Sequence, residues 1–163
     1  MHVLPFFGAS AALVDPDSLA VFRLVSDFAN FYPDIERWFE AKVLPGVASG
    51  TRRIVVRREA DHIHGFSILK KADQERKICT LWVRPDARGA GLGQHLLDEA
   101  REWLECAQPM LTVPEEELSG FAPLLKRNHF QLTQRASDFY RSHRCEYVFN
   151  GELPLPLSRP VVQ

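Results

Sequence analysis

"VRPDARGAGLGQHLLDEA", residues 83–100, carries the reading of this chain. Gly89, Gly91 and Gly93 stand at alternate positions, with Arg88 just ahead of them. The run before them, "KICTLWVRP" (77–85), is apolar and strand-like. After them, Leu92, Leu96, Leu97, Ala100, Trp103 and Leu104 recur at helical spacing and predict a helix to about Ala107. Small residues let backbone N–H groups face a ligand without side chains in the way. The first amides of the helix are unpaired and partly positive, and Arg88 adds a full charge. A pyrophosphate suits this chemistry; a tight turn with no ligand is the alternative. A nucleoside-triphosphate loop is excluded, because Gln94-His95 follows Gly93 where Lys-Ser/Thr is required. A dinucleotide fingerprint is excluded by Leu96, which stands where its third glycine belongs.

Upstream, "RRIVVRRE" (52–59) and "HIHGFSILK" (62–70) flank a short Ala60-Asp61 turn, and Lys71 to Arg76 connects to the strand at 77–85. The pattern predicts a three-strand antiparallel meander. Ahead of it, "DPDSLAVFRLVSDFANFY" (15–32) reads as a helix capped at Asp15-Pro16. Its apolar stripe is Leu19, Phe22, Val25 (or Leu24), Phe28 and Ala29. "YPDIERWFEAKVLPG" (32–46) reads as a second helix. Ile35, Trp38, Phe39 and Val43 line one face, and Pro45-Gly46 ends it. Residues 2–8 suggest a first strand. Downstream come a short strand "PMLTV" (109–113), a helix from Glu115 to Asn128 disturbed at Pro123, and two strands, "FQLTQR" and "CEYVFN". "GELPLPLSRPVVQ" is proline-rich and reads as a tail or a strap along a partner. No internal repeat is present.

These elements make one mixed α/β domain, and 163 residues are enough for a full core. Apolar content of 45% and charged content of 25% are those of a soluble globular protein. A net charge of −1 gives no global field toward nucleic acid or anionic membrane. Cys79, Cys106 and Cys145 are too far apart for a zinc knuckle, and reduced thiols fit a cytoplasmic location. The N-terminus lacks a basic start and is broken by Pro5 and Asp15, so it does not read as a signal peptide. No apolar run approaches the roughly 20 residues of a membrane span.

The stretch 83–100 resembles the acetyl-CoA signature of the GNAT acyltransferase superfamily, [RQ]-x-x-G-x-[GA], here Arg88-x-x-Gly91-x-Gly93 after "CTLWV" and "RPD". The element order is similar to the family's from first strand to last. The resemblance implies a GNAT-type domain over residues 1–151, with 152–163 a tail outside it. It implies acetyl-CoA as acyl donor, with Arg88, Gly89, Ala90, Gly91, Leu92 and Gly93 around its pyrophosphate. Leu81, Trp82 and Val83 would then lie beside the pantetheine arm. The strand carrying them splays from "PMLTV" in the family, and a bulge in it supplies an N–H to the thioester oxygen. The implied reaction is direct attack by an amine. An amine of pKa near 10.4 is neutral in only about one molecule in 10³ at pH 7, so a base or a desolvating site is needed.

The family's usual catalytic groups do not carry over. The tyrosine of the late helix corresponds to Leu125, with His129-Phe130 in place of Gly-Phe, and the glutamate of the strand before the motif corresponds to Lys77. The remaining candidates are Glu115 and Glu116 (with Glu117), Cys79, and Tyr140 with Asp138. Acidic residues in a first helical turn also have a purely structural reading, and cysteines on a central strand are more often core. His62 and His64 share a strand face without a third metal ligand, so no metal is expected. His95 reads as exposed. Phe28, Phe31 and Tyr32 are candidates for the acceptor wall, and Trp38 and Phe39 for the core. Arg52, Arg53, Arg57, Arg58, Lys70, Lys71, Arg76 and Lys77 make the meander basic. This is either a solvated sheet face or a dock for a tRNA-type acceptor. Two functions stay open: an N-acetyltransferase of unknown amine acceptor, and a non-catalytic acetyl-CoA-binding module that regulates a protein partner. A homodimer is compatible with either.

Overall fold

The structure, a computed structural model, describes residues 15–154. The expected strand at 2–8 and the tail from residue 155 lie outside this range. The described strands form one six-stranded sheet in the order β1-β2-β3-β4-β6-β5. The meander is β1 (Arg52–Glu59), β2 (His62–Ala72) and β3 (Glu75–Val83), antiparallel throughout. The β2–β3 turn is tighter than the sequence suggests. Asp73 takes a left-handed conformation (φ 52°), so both strands run two residues further into the polar connection. β3 stops at Val83 because Pro85 opens a 3₁₀ turn over Pro85–Ala87.

β4 (Met110–Pro114) lies parallel to β3, and β6 (Cys145–Phe149) pairs antiparallel with both β4 and β5 (Leu132–Ser137). β5 starts two residues later than expected. His129 adopts φ 57° beyond helix α5 (Leu118–Arg127), and Phe130 turns into the core, 8% exposed. His129, which stands where the pattern the chain resembles has glycine, thus takes a conformation that favours glycine. α5 is shorter than expected, since Glu115–Glu117 form a 3₁₀ turn ahead of it.

The early helices differ most from expectation. α1 covers only Pro16–Val25, capped by Asp15 Oδ1 accepting from the Ser18 N–H at 2.9 Å. Its buried stripe is Ser18, Val21, Phe22 and Val25, while Ala29 is exposed and lies in a separate 3₁₀ turn over Ser26–Asn30. The second helix does not end at Pro45-Gly46. It runs through α2 (Ile35–Trp38), a wide π turn (Phe39–Val43) and α3 (Leu44–Ser49) to Gly50 at φ 80°. Pro45 has no N–H for the Ala41 carbonyl, and the chain absorbs this one turn earlier, with the Leu44 N–H donating to Phe39 O.

These helices cover one sheet face, burying Val21, Phe22, Val25, Ile35, Phe39 and Val43 against Phe66 and Ile68. α4 (Leu92–Leu104) and α5 cover the other, where Leu96, Leu97, Ala100, Leu104 and Leu125 meet Leu69, Ile78, Leu81, Leu111 and Val113. Glu105 at φ 52° ends α4 before the expected Ala107. A Cβ at Gly65 would stand 3.0 Å from the Trp82 carbonyl and 3.1 Å from Leu92 and Leu96, so glycine lets α4 sit close on the meander. Asn128 locks α4 to α5: its amide exchanges hydrogen bonds with Gln94 and accepts from Arg101 Nη1 at 2.9 Å.

Candidate functional site

β3 and β4 are paired only at Lys77–Met110 and Ile78–Leu111. Beyond that point they part, leaving a V-shaped slot whose apex lies at Cys79 and Thr112. β3 also carries a bulge there: Ile68 faces Thr80 and Leu69 faces Ile78, so Cys79 is the extra residue. The slot belongs to a continuous cavity of about 480 Å³. One end is lined by Arg88, Gly89, Gly91, Leu92 and Gly93, the middle by Leu81, Trp82 and Val83, and the other end by Phe28, Phe31, Tyr32, Cys79 and Thr112. Of the predicted donor-binding residues, only Ala90 is not part of this lining.

Local backbone chemistry makes the first end receptive to an anion. Gly89 and Gly91 adopt φ 85° and 87°, which L side chains occupy at a cost. Nothing stands within 4 Å of a Cβ built on either. The first intrahelical bond of α4 runs from the His95 N–H to Gly91 O at 3.1 Å, and no side chain caps the helix. The amides of Leu92, Gly93 and Gln94 therefore have no intrahelical acceptor. Arg88 Nε donates to the Val83 carbonyl at 3.1 Å, tying the turn to the end of β3.

The catalytic candidates are placed unequally. Glu115 receives Arg144 Nη1 at 2.9 Å, and Glu116 holds Arg141 in a two-pronged pair at 2.7 and 2.8 Å. The Arg141 hydrogen bond holds the Glu116 carboxyl down at about 2, which makes it a poor base at neutral pH. Glu117 does reach the cavity wall. Cys79 is at the slot apex, but burial pushes its thiol up, against Arg52, whose Nη1 lies 3.3 Å from Sγ. Asp138 is spent inside its own loop, accepting from the His143 N–H. Tyr140 packs edge-on against Tyr32 with ring centroids 5.2 Å apart, and burial pushes its hydroxyl up to about 12. Leu125 is 3% exposed within the core.

Glu146 is the group that sequence reasoning missed. It is 4% exposed and accepts a hydrogen bond from the Tyr32 hydroxyl at 2.7 Å. Burial raises its carboxyl above the ordinary range, and burial beside Glu146 raises the Tyr32 hydroxyl. The signal was present in "CEYVFN": strand alternation puts Glu146 on the same inward face as Val148.

The remaining predicted residues fall outside the cavity. His64 lies beside Arg84 and Glu59, and His62 and His95 are exposed. Among the described residues, no group of three or more His, Cys, Asp or Glu side chains could hold a metal. The basic meander is largely answered internally: Arg53 and Arg57 by Glu99, Arg58 by Asp17, Lys70 by Glu75 and Lys71 by Glu105.

A family model for the acetyltransferase (GNAT) domain matches residues 50–143. No curated protein matches the chain. Among solved structures, a protein from Desulfovibrio desulfuricans assigned to the GNAT family is similar at TM-score 0.66 and 18% identity, over 84% of this chain and 92% of that one. Arabidopsis thaliana NAA60 in complex with acetyl-CoA is similar at TM-score 0.59 and 18% identity, over 83% and 93%. The PaiA N-acetyltransferase of Thermoplasma acidophilum in complex with coenzyme A is similar at 0.57 and 17%, over 81% and 91%. At these identities the likeness is one of fold.

Proposed function

The chain belongs to the GNAT acetyltransferase family, and on that premise we propose that it moves the acetyl group of acetyl-CoA to a primary amine by direct attack. The observation that carries this reading is the continuity of the cavity. One space joins a glycine turn suited to a pyrophosphate, a parted strand pair suited to an extended arm, and an aromatic mouth.

The residues fit the donor. Open space at Gly89 and Gly91 leaves room for phosphate oxygens, and the amides of Leu92, Gly93 and Gln94 supply donors with the helix dipole behind them. Arg88 orders this turn through Val83, and its charge adds to the field. Leu81, Trp82 and Val83 line the passage for the arm. The bound donor supplies an activated thioester whose thiolate, with a pKa of roughly 8.5, leaves with little assistance. An N–H in the Cys79 bulge is the candidate to meet the charge that develops on the carbonyl oxygen. Phe28, Phe31 and Tyr32 form an aromatic acceptor side, backed by Phe28 stacked on Phe66 at 6.3 Å.

The test is CoA release with acetyl-CoA and a panel of primary amines, run beside the matching alcohols. Release with one or more amines and none with the alcohols supports N-acetylation. Release with alcohols alone would reassign the acceptor atom, and tight donor binding with no release from any member would favour a binding module.

A further inference from the structure

Deprotonating the acceptor is the step left without the family's usual glutamate, since Lys77 stands where the resemblance puts it. Resting on the acetyltransferase reading above, we propose that Tyr32 and Glu146 take the proton from the acceptor's ammonium group. Tyr32 is the catalytic residue that touches the amine; Glu146 acts through it, fixing its hydroxyl and holding the proton.

Four features of the structure converge on this pair. Tyr32 lines the cavity beside Cys79 and Thr112, at the slot apex where the arm of the donor would end. Its hydroxyl donates to Glu146 Oε1 at 2.7 Å. Glu146 lies behind it on β6, opposite Pro114 of β4, with 4% of its surface open. Tyr140 packs edge-on against the Tyr32 ring, with centroids 5.2 Å apart, and holds that ring in place beside Glu146.

A buried carboxylate needs a reason to persist, and its partners supply both stabilisation and tuning. The groups facing Glu146 are the Tyr32 hydroxyl from the loop after α1, the Thr112 hydroxyl from β4, Arg141 from the β5–β6 loop and Lys77 from β3; Tyr140 lies beside them, with Cys79 and Glu75 near it. The hydroxyls and cations favour the charged form, but burial outweighs them and the carboxyl titrates above its usual value. That moves it toward the range where a base is most effective. Tyr32 itself stays neutral, so the transfer is concerted through its hydroxyl.

The protons balance. The ammonium gives one proton to Tyr32 Oη while the Tyr32 proton passes to Glu146 Oε1. The neutral nitrogen then forms the C–N bond as the carbon–sulfur bond breaks and its electron pair leaves on sulfur. The second nitrogen proton goes to that sulfur, giving free CoA and an amide. Glu146 later returns its proton to water.

The test compares two aromatic amines with acetyl-CoA: 2-phenylethylamine, charged at neutral pH, and aniline, already uncharged. Tyr32→Phe and Glu146→Gln keep the shapes of the pair. Both variants should bind acetyl-CoA like the parent, in calorimetry. Both should lose about 10²–10⁴-fold in kcat/KM with phenylethylamine, and under tenfold with aniline. The parent's acid limb with phenylethylamine should disappear in Glu146→Gln, and Glu146→Asp should restore part of the rate. Equal losses with the two amines would make the pair structural and overturn the proposal. Unchanged rates, or a parent that binds acetyl-CoA yet transfers to neither amine, would overturn it too. A parent that does not bind acetyl-CoA would instead overturn the donor assignment.

Discussion

Gly91→Glu puts a carboxylate where the pyrophosphate is assigned, and the structure separates its two costs. The first is conformational. Gly91 sits at φ 87°, and an L residue in the left-handed region costs roughly 1–2 kcal/mol. At this chain length that lowers Tm by about 2–8 °C. No steric cost joins it, because a Cβ there meets nothing within 4 Å. The second cost is electrostatic and appears only with the donor. A carboxylate about 4 Å from one phosphate charge costs about 4 kcal/mol at an effective dielectric of 20, or about 10³-fold in Kd. Gly50→Ala is the matched control. Gly50 has φ 80° and open space around it, but it caps α3 away from the cavity. It should show a similar fall in Tm and an unchanged Kd. Thermal melts and calorimetric titration with acetyl-CoA, on the same preparations, measure both. Donor binding by Gly91→Glu equal to the parent's, or a comparable loss in Gly50→Ala, would refute the reasoning.

Leu125→Ala empties a core position and should cost about 2–5 kcal/mol, seen as a lower urea midpoint, with kcat retained at temperatures where the variant is folded. Cys79→Ala should keep transfer, since burial holds the thiol in its protonated form; loss of activity without loss of donor binding would make the thiol a participant. Glu116→Gln should lower Tm at pH 7. The Glu116 carboxyl is depressed to about 2, so its stabilisation is complete above its ordinary value of 4.5 and fades as pH falls from there toward 2. Melts of parent and variant should therefore converge near pH 2, and a constant gap across that range would contradict the sign.

The meander, the glycine turn and α4 were legible because their signals are local, whereas the placing of β4 beside β3 came only from the family resemblance. Alternation marks β1 to β3, and the apolar stripe from Leu92 to Leu104 has one helical reading. The early helices were less legible. Pro45 is a stop signal taken alone, yet a π turn over Phe39–Val43 carries the helix past it to Gly50. Phe130 reads as a strand residue by its apolarity. His129 in a left-handed conformation instead sends it into the core and delays β5. The resemblance picked out the residues at the cavity's glycine end, and Phe28, Phe31 and Tyr32 at its aromatic end. Glu146 was not legible, because it lies 114 positions from Tyr32 and meets it only through the packing of the α1–α2 loop on β6. The acidic run Glu115–Glu117 drew attention by composition, whereas Arg141 and Arg144, which neutralise Glu115 and Glu116, come from a distant loop.

The central claim is that the glycine turn and the slot hold acetyl-CoA. Calorimetric titration of the protein with acetyl-CoA, with ATP and NAD as controls, tests it most directly. The account predicts saturable one-site binding of acetyl-CoA in the micromolar range and none of comparable strength with ATP or NAD. No heat with acetyl-CoA, or equal binding of all three, would contradict it.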